Sequence, residues 1–90
     1  MDGWHRVAVH YARGAAKYAE RNWEKGLETG RTVSSCLRHL GKAKAGHTDE
    51  DHWAATAWNA IALIHHIPRL RSGELPKELD TYGFLMRGAK

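Results

Sequence analysis

Cysteine is almost absent from this chain of 90 residues, and Cys36 stands alone. A single thiol excludes an intrachain disulfide and favours a reducing compartment, so a cytoplasmic setting is expected. Long apolar runs are missing as well. No stretch approaches the ~18 residues that read as a bilayer span, and no apolar segment follows Met1, so neither a membrane helix nor a signal peptide is expected. There is no internal repeat, low-complexity segment or linker, which leaves a single domain over residues 1–90. Several motifs are also lacking: no P-loop, no cysteine pairs at zinc spacing, no His-Glu-x-x-His and no Gly-x-Ser-x-Gly. Acids are the scarcer charge, 10 against 14 Lys and Arg, for a formal charge of +4. That balance suits an anionic partner, a nucleotide or nucleic acid.

What is present is helical periodicity. The longest helix-forming stretch runs from Thr48 to Ile67, and at ~100° per residue His52, Thr56, Asn59, Leu63 and His66 fall on one stripe. Trp53, Ala54, Ala57, Trp58, Ala60, Ile61, Ile64 and Ile67 surround it, so this helix is expected to be central. Burying an unpaired amide or imidazole costs roughly 1–3 kcal/mol, so the stripe must be satisfied structurally or line a site. Thr48 followed by Asp51 resembles a capping box, with Asp49, Glu50 and Asp51 in the first turn. The helix is expected to end near Pro68 or soon after, which places His65 and His66 in its last turn.

An earlier helix is expected over residues 4–20, through Gly14, with Trp4, Val7, Ala8, Tyr11, Ala15 and Tyr18 at spacings of three and four. A loop follows from Arg21 to Gly30. A second helix is expected from Arg31 to Ala45, with Val33, Leu37 and Leu40 on one side, Arg31, Ser35, Arg38 and Lys42 on the other, and His39 at the border. The remainder carries glycines and prolines but also Leu75, Leu79, Tyr82, Phe84, Leu85 and Met86. It reads as an irregular tail with a helical turn at Lys77 to Tyr82, packed on its own helices or on a neighbouring subunit. The expected fold is all-α: a small three-helix domain, with a helical core over about 4–70 and a C-terminal tail over 71–90, completed by homo-oligomerisation because so short a chain is near the lower limit for one self-sufficient core.

If the second and third helices are antiparallel neighbours, His39 meets Asp51, His52 and Asn59. Carboxylate oxygen and neutral imidazole are divalent-metal ligands, which assigns Asp51 and His52 to a metal and His39, His52 and Asn59 to catalysis. Phosphoryl transfer needs oxyanion charge neutralised, so Mg²⁺ or Mn²⁺ is the expected cofactor. Lys17, Lys25 and Arg38 are candidates for binding phosphates, and Trp23 or Trp58 for stacking on a base, with Asn22 in the same loop as Trp23. The bland alternatives are a loop anchored by Trp23 with solvated lysines, and polar groups that merely cross-link a small core.

Four blocks occur in order: Gly14-Ala15-Ala16-Lys17-Tyr18, Asn22-Trp23-Glu24-Lys25-Gly26, Leu37-Arg38-His39-Leu40 and the stretch from His52 to Ala60. Together they resemble the phage-associated dATP/dGTP diphosphohydrolase N-terminal domain family. The resemblance implies a phage protein, expressed in a bacterial host, that hydrolyses purine deoxynucleoside triphosphates to monophosphate and pyrophosphate, with an architecture related to the MazG-like all-α pyrophosphohydrolases. Those enzymes hold Mg²⁺ with Glu-x-x-Glu and Glu-x-x-Asp pairs. Here His52 and Ala55 stand where the second pair is expected, and Glu20 and Glu24 are four apart. The alternative is therefore a non-catalytic phage module that binds a nucleotide, nucleic acid or a host protein.

Overall fold

The computed structural model describes residues 2–17 and 26–87, with the side chains of residues 14–17 outside that description. Helix α1 spans Gly3–Lys17, α2 Thr29–Lys44 and α3 His52–Ser72; a 3₁₀ turn at Lys77–Leu79 and a short α4 at Phe84–Arg87 follow. Among the described residues there is no strand, and the all-α class is as expected. Helix α3 is central and packs against both α1 and α2.

Local chemistry sets several of the helix ends. The Asp2 side chain accepts from His5 N–H at 2.8 Å and opens α1, which runs through Gly14 without a break. Helix α2 closes on Gly46, whose φ of +85° is open to glycine at little steric cost. Its carbonyls are then used by Gly46 N–H to Ala43 and by His47 N–H to Lys42, both at 3.0 Å. Helix α3 starts later than the sequence suggests. Asp51, not Thr48, is its cap, accepting from Ala54 N–H at 3.1 Å. Asp49 and Glu50 consequently lie in the turn before the helix rather than in its first turn.

Pro68 does not end α3, which continues to Ser72 and stops at Gly73 with φ +84°. A proline at position 68 denies a hydrogen bond to the carbonyl of Ile64. Ile64 and Pro68 share an exposed side of the helix, where water can serve that carbonyl. His65 and His66 therefore lie inside α3, the last turn carrying Arg69 and Arg71 instead, and His66 is buried.

The buried residues of α2 and α3 are mostly small or polar. Ala43, Ala54, Ala55 and Ala62 are buried with Thr32, His39, His52, Asn59 and His66. The polar stripe of α3 faces inward, and among the described residues no buried side-chain nitrogen or oxygen lacks a hydrogen-bond partner. Thr56 donates to His52 O at 2.8 Å and Cys36 Sγ to Thr56 O at 3.6 Å. The inward face of α2 is thus Thr29, Thr32, His39 and Ala43, whereas Leu37, expected on its apolar side, is 62% exposed.

The tail packs on its own helices. Thr81 Oγ1 accepts from Gly30 N–H and Thr29 Oγ1 from Tyr82 N–H, both at 2.9 Å, while Thr29 donates to Asp80 at 2.9 Å. Asp80 in turn accepts from Phe84 N–H at 3.0 Å and Leu85 N–H at 2.7 Å. Burial would push the Asp80 carboxyl up, but the N–H groups of Leu85 and Phe84 and the Thr29 hydroxyl outweigh it and hold it below the ordinary value. Asp80→Ala removes the acceptor that these donors share. Thermal denaturation of the variant is expected to show a loss of about 2 kcal/mol, with amide exchange accelerating first at Phe84 and Leu85.

Candidate metal centre

The reversal between α2 and α3 brings together residues that neither helix supplies alone. His39 comes from the C-terminal half of α2, His52 is the first residue of α3, and the turn that Gly46 permits carries Glu50 back towards both. The Nδ1 atoms of His39 and His52 are 2.8 Å apart, and Glu50 Oε1 is 3.9 Å from His39 Nδ1. His39, Glu50 and His52 each offer one ligand atom, all within 4.8 Å of one another, and the group can hold a metal ion. Both imidazoles are buried and Glu50 is exposed, so the group has a rigid inner side and an open outer side.

The donor set fits a divalent ion. Two ligands at ~2.1 Å and a right angle lie about 3.0 Å apart, whereas tetrahedral zinc at ~2.05 Å separates them by about 3.4 Å. The observed 2.8 Å is a hydrogen-bond separation, shorter than either. Burial, opposed by Glu50 and aided by Arg38, His52 and His10, pushes His39 below its ordinary value. That favours the uncharged imidazole a metal requires.

Asp49 sits on the far side of His52, its Oδ1 2.8 Å from His52 Nε2. This contact holds the Asp49 carboxyl below the ordinary value. Asp51 is engaged elsewhere. Arg6 Nε and Nη2 donate to its two oxygens, each at 2.7 Å, tying α1 to the start of α3. The Arg6 guanidinium brings the Asp51 carboxyl down to about 2, burial working against it and Ala54 N–H with it.

A folded-state value below the ordinary carboxylate value of ~3.9 means that the Asp51 contribution is complete above pH ~4 and is lost as pH falls towards 2. Asp51→Asn should therefore be less stable than the parent by about 1 kcal/mol at pH 6, and the difference should shrink as pH falls from ~4 through ~2. Thermal midpoints across that range read it.

Beside the group runs an open groove of about 440 Å³, its walls including Arg6, Arg13, Glu50, Asp51, His52 and Trp53. Arginine and a half-exposed indole next to a metal-competent cluster can receive a phosphate and a base. Of the residues proposed from the sequence, His39 and His52 converge here. Asp51 lines the groove but is outside the His39–Glu50–His52 group. Asn59 is buried between α2 and α3, donating to Ala55 O at 2.8 Å and Ser35 Oγ at 3.3 Å. Arg38 is exposed on α2 and does not line the groove. Asn22, Trp23 and Lys25 lie outside the described residues, as does the side chain of Lys17 at the end of α1. Trp58 lines a separate apolar groove with Trp4, Tyr11 and Ile61.

Sequence reasoning missed Glu50, Asp49, Arg6 and Arg13. Glu50 and Asp49 had a sufficient explanation as helix-dipole acids, although Asp49 three residues before His52 is a spacing at which a carboxylate can reach an imidazole. The Arg6 to Asp51 pairing spans 45 positions and leaves no local trace.

A family model described as dATP/dGTP diphosphohydrolase, N-terminal, matches residues 2–74, most of the chain and the whole of α1 to α3. No curated protein and no solved structure matches.

Proposed function

Since the chain belongs to the dATP/dGTP diphosphohydrolase N-terminal family, we propose that it hydrolyses purine deoxynucleoside triphosphates to monophosphate and pyrophosphate with a divalent ion held by His39, Glu50 and His52. The observation that carries the reading is the adjacency of this group to a groove walled by Arg13 and Trp53. The ion supplies charge neutralisation at phosphate oxygens and orientation of the attacking water. Two imidazoles and one carboxylate favour Mn²⁺ over Mg²⁺, which prefers oxygen ligands.

Arg13 holds phosphate oxygens, and Trp53 offers its face to the purine. Arg6 and Asp51 fix the start of α3, so that His52 keeps its position when substrate enters. Asn59 serves the same end from below by fastening α3 to α2. The family's motifs make Lys17, Asn22, Trp23 and Lys25 the further candidates for phosphate and base contacts, and Arg38 adds positive potential near His39. The net charge of +4 favours approach of a triphosphate.

The active form is a homo-oligomer, as expected of a small domain that leaves Trp4 82%, Leu37 62% and Ile64 72% exposed. No helix among the described residues is long and apolar enough to cross a membrane. We place the protein in the cytoplasm of a bacterial host, as a phage product.

Incubation with dGTP and with dATP, in Mn²⁺ and separately in Mg²⁺, is expected to release the monophosphate and pyrophosphate, faster with Mn²⁺. No turnover with either ion at micromolar protein contradicts the reading. Nucleotide binding without turnover supports the non-catalytic alternative.

A further inference from the structure

Asp49 is 65% exposed at its side chain, yet it makes a 2.8 Å contact with the almost fully buried ring of His52. An ionised carboxylate only accepts, so this contact puts the His52 proton on Nε2. In the uncharged ring the lone pair is then on Nδ1, the atom that faces His39. The 2.8 Å approach of the two Nδ1 atoms requires one of them to donate, and His52 Nδ1 has no proton to give. The donor is His39 Nδ1–H. Asp49, His52 and His39 thus form a directed chain whose two inner nitrogens hold one another.

We propose that Asp49 is the positioning residue of the ion site: it fixes His52 as the Nε2–H tautomer, making Nδ1 the ligating atom, and ion entry moves the His39 proton from Nδ1 to Nε2. The inference rests on the His39–Glu50–His52 reading above. No proton is gained or lost overall; the one that leaves His39 Nδ1 is replaced on Nε2 of the same ring through solvent. The bond broken on ion entry is the His39 to His52 hydrogen bond, and the two lone pairs so exposed are the ones that converge. Carboxylates that orient ligating imidazoles in this way typically tune affinity tenfold to a hundredfold.

The test is titration of the full chain with MnCl₂ and with ZnCl₂ by calorimetry, for the parent, Asp49→Ala and Asp49→Asn. Imidazole ¹⁵N spectra, read without ion and with diamagnetic Zn²⁺, accompany it. Expected are ion binding by the parent, a loss of at least tenfold in Asp49→Ala, and recovery to within a few fold in Asp49→Asn, whose amide oxygen still accepts. The ¹⁵N spectra should show His52 as Nε2–H throughout and His39 changing from Nδ1–H to Nε2–H with Zn²⁺. Unchanged affinity in Asp49→Ala, or a parent His52 carrying its proton on Nδ1, overturns the positioning role alone. Absence of ion binding by the parent overturns the ion site itself, and with it the ion-dependent hydrolysis. Should Asp49→Ala fail to fold, the parent spectra and Asp49→Asn still decide.

Discussion

Glu50→Gln is expected to weaken Mn²⁺ binding at least tenfold and to lower hydrolysis correspondingly at limiting ion, with the thermal midpoint unchanged. Glu50 provides the only carboxylate of the three-residue group, and its oxygen lies 3.9 Å from His39 Nδ1. An amide keeps the size but forfeits the charge that offsets the ion. The side chain is 49% exposed, so the fold loses little; a surface change of this kind stays within about 0.5 kcal/mol. Calorimetry with MnCl₂ beside a thermal melt separates the two effects. Loss of stability with ion affinity intact would make Glu50 a structural residue and remove it from the site.

His52→Ala should damage both properties. Its side chain is 1% exposed, and its removal takes the partner from the buried His39 Nδ1 as well as opening a cavity at the first turn of α3. Those losses together are about 2–4 kcal/mol, or about 10 °C or more in the midpoint of a domain this size. Ion binding should vanish at temperatures where the variant is still folded. Asn59→Ala provides the contrast: the amide between Ala55 O and Ser35 Oγ supports the helix pair, so stability falls by about 2 kcal/mol while the folded fraction still binds ion. The two variants distinguish a ligand from a fastener on the same stripe of α3.

That stripe shows how much was legible from the sequence. The 3.6-residue spacing of His52, Thr56, Asn59 and His66 was enough to mark α3 as central and its polar groups as inward-facing, and the contacts of α3 with both neighbours agree. The spacing could not reveal which polar group was a fastener. His52 and Asn59 look equivalent on a helical wheel, but one lies at the turn where α2 and the loop return, and the other lies two turns below it. The start of α3 was misread because Thr48 and Asp51 are both competent caps, and only the Arg6 contact from α1 shows why the later one is used. The helix runs on past Pro68 to Ser72 because the rule against internal proline assumes a carbonyl with no alternative partner, and on the exposed side of α3 water can supply one. The face of α2 was misread for a different reason. Periodicity locates an apolar side but not what covers it, and α3 presents alanines and the His52 ring that pairs with His39, leaving Leu37 outside.

The most direct measurement is anomalous diffraction from crystals of the full chain grown or soaked in MnCl₂. A single strong peak is predicted within about 2.3 Å of His39 Nδ1, His52 Nδ1 and a Glu50 oxygen, on the side open to the groove of Arg13 and Trp53. A crystal with no peak there, or with its peak on Asp51 while the two imidazoles remain hydrogen-bonded to each other, would contradict the account.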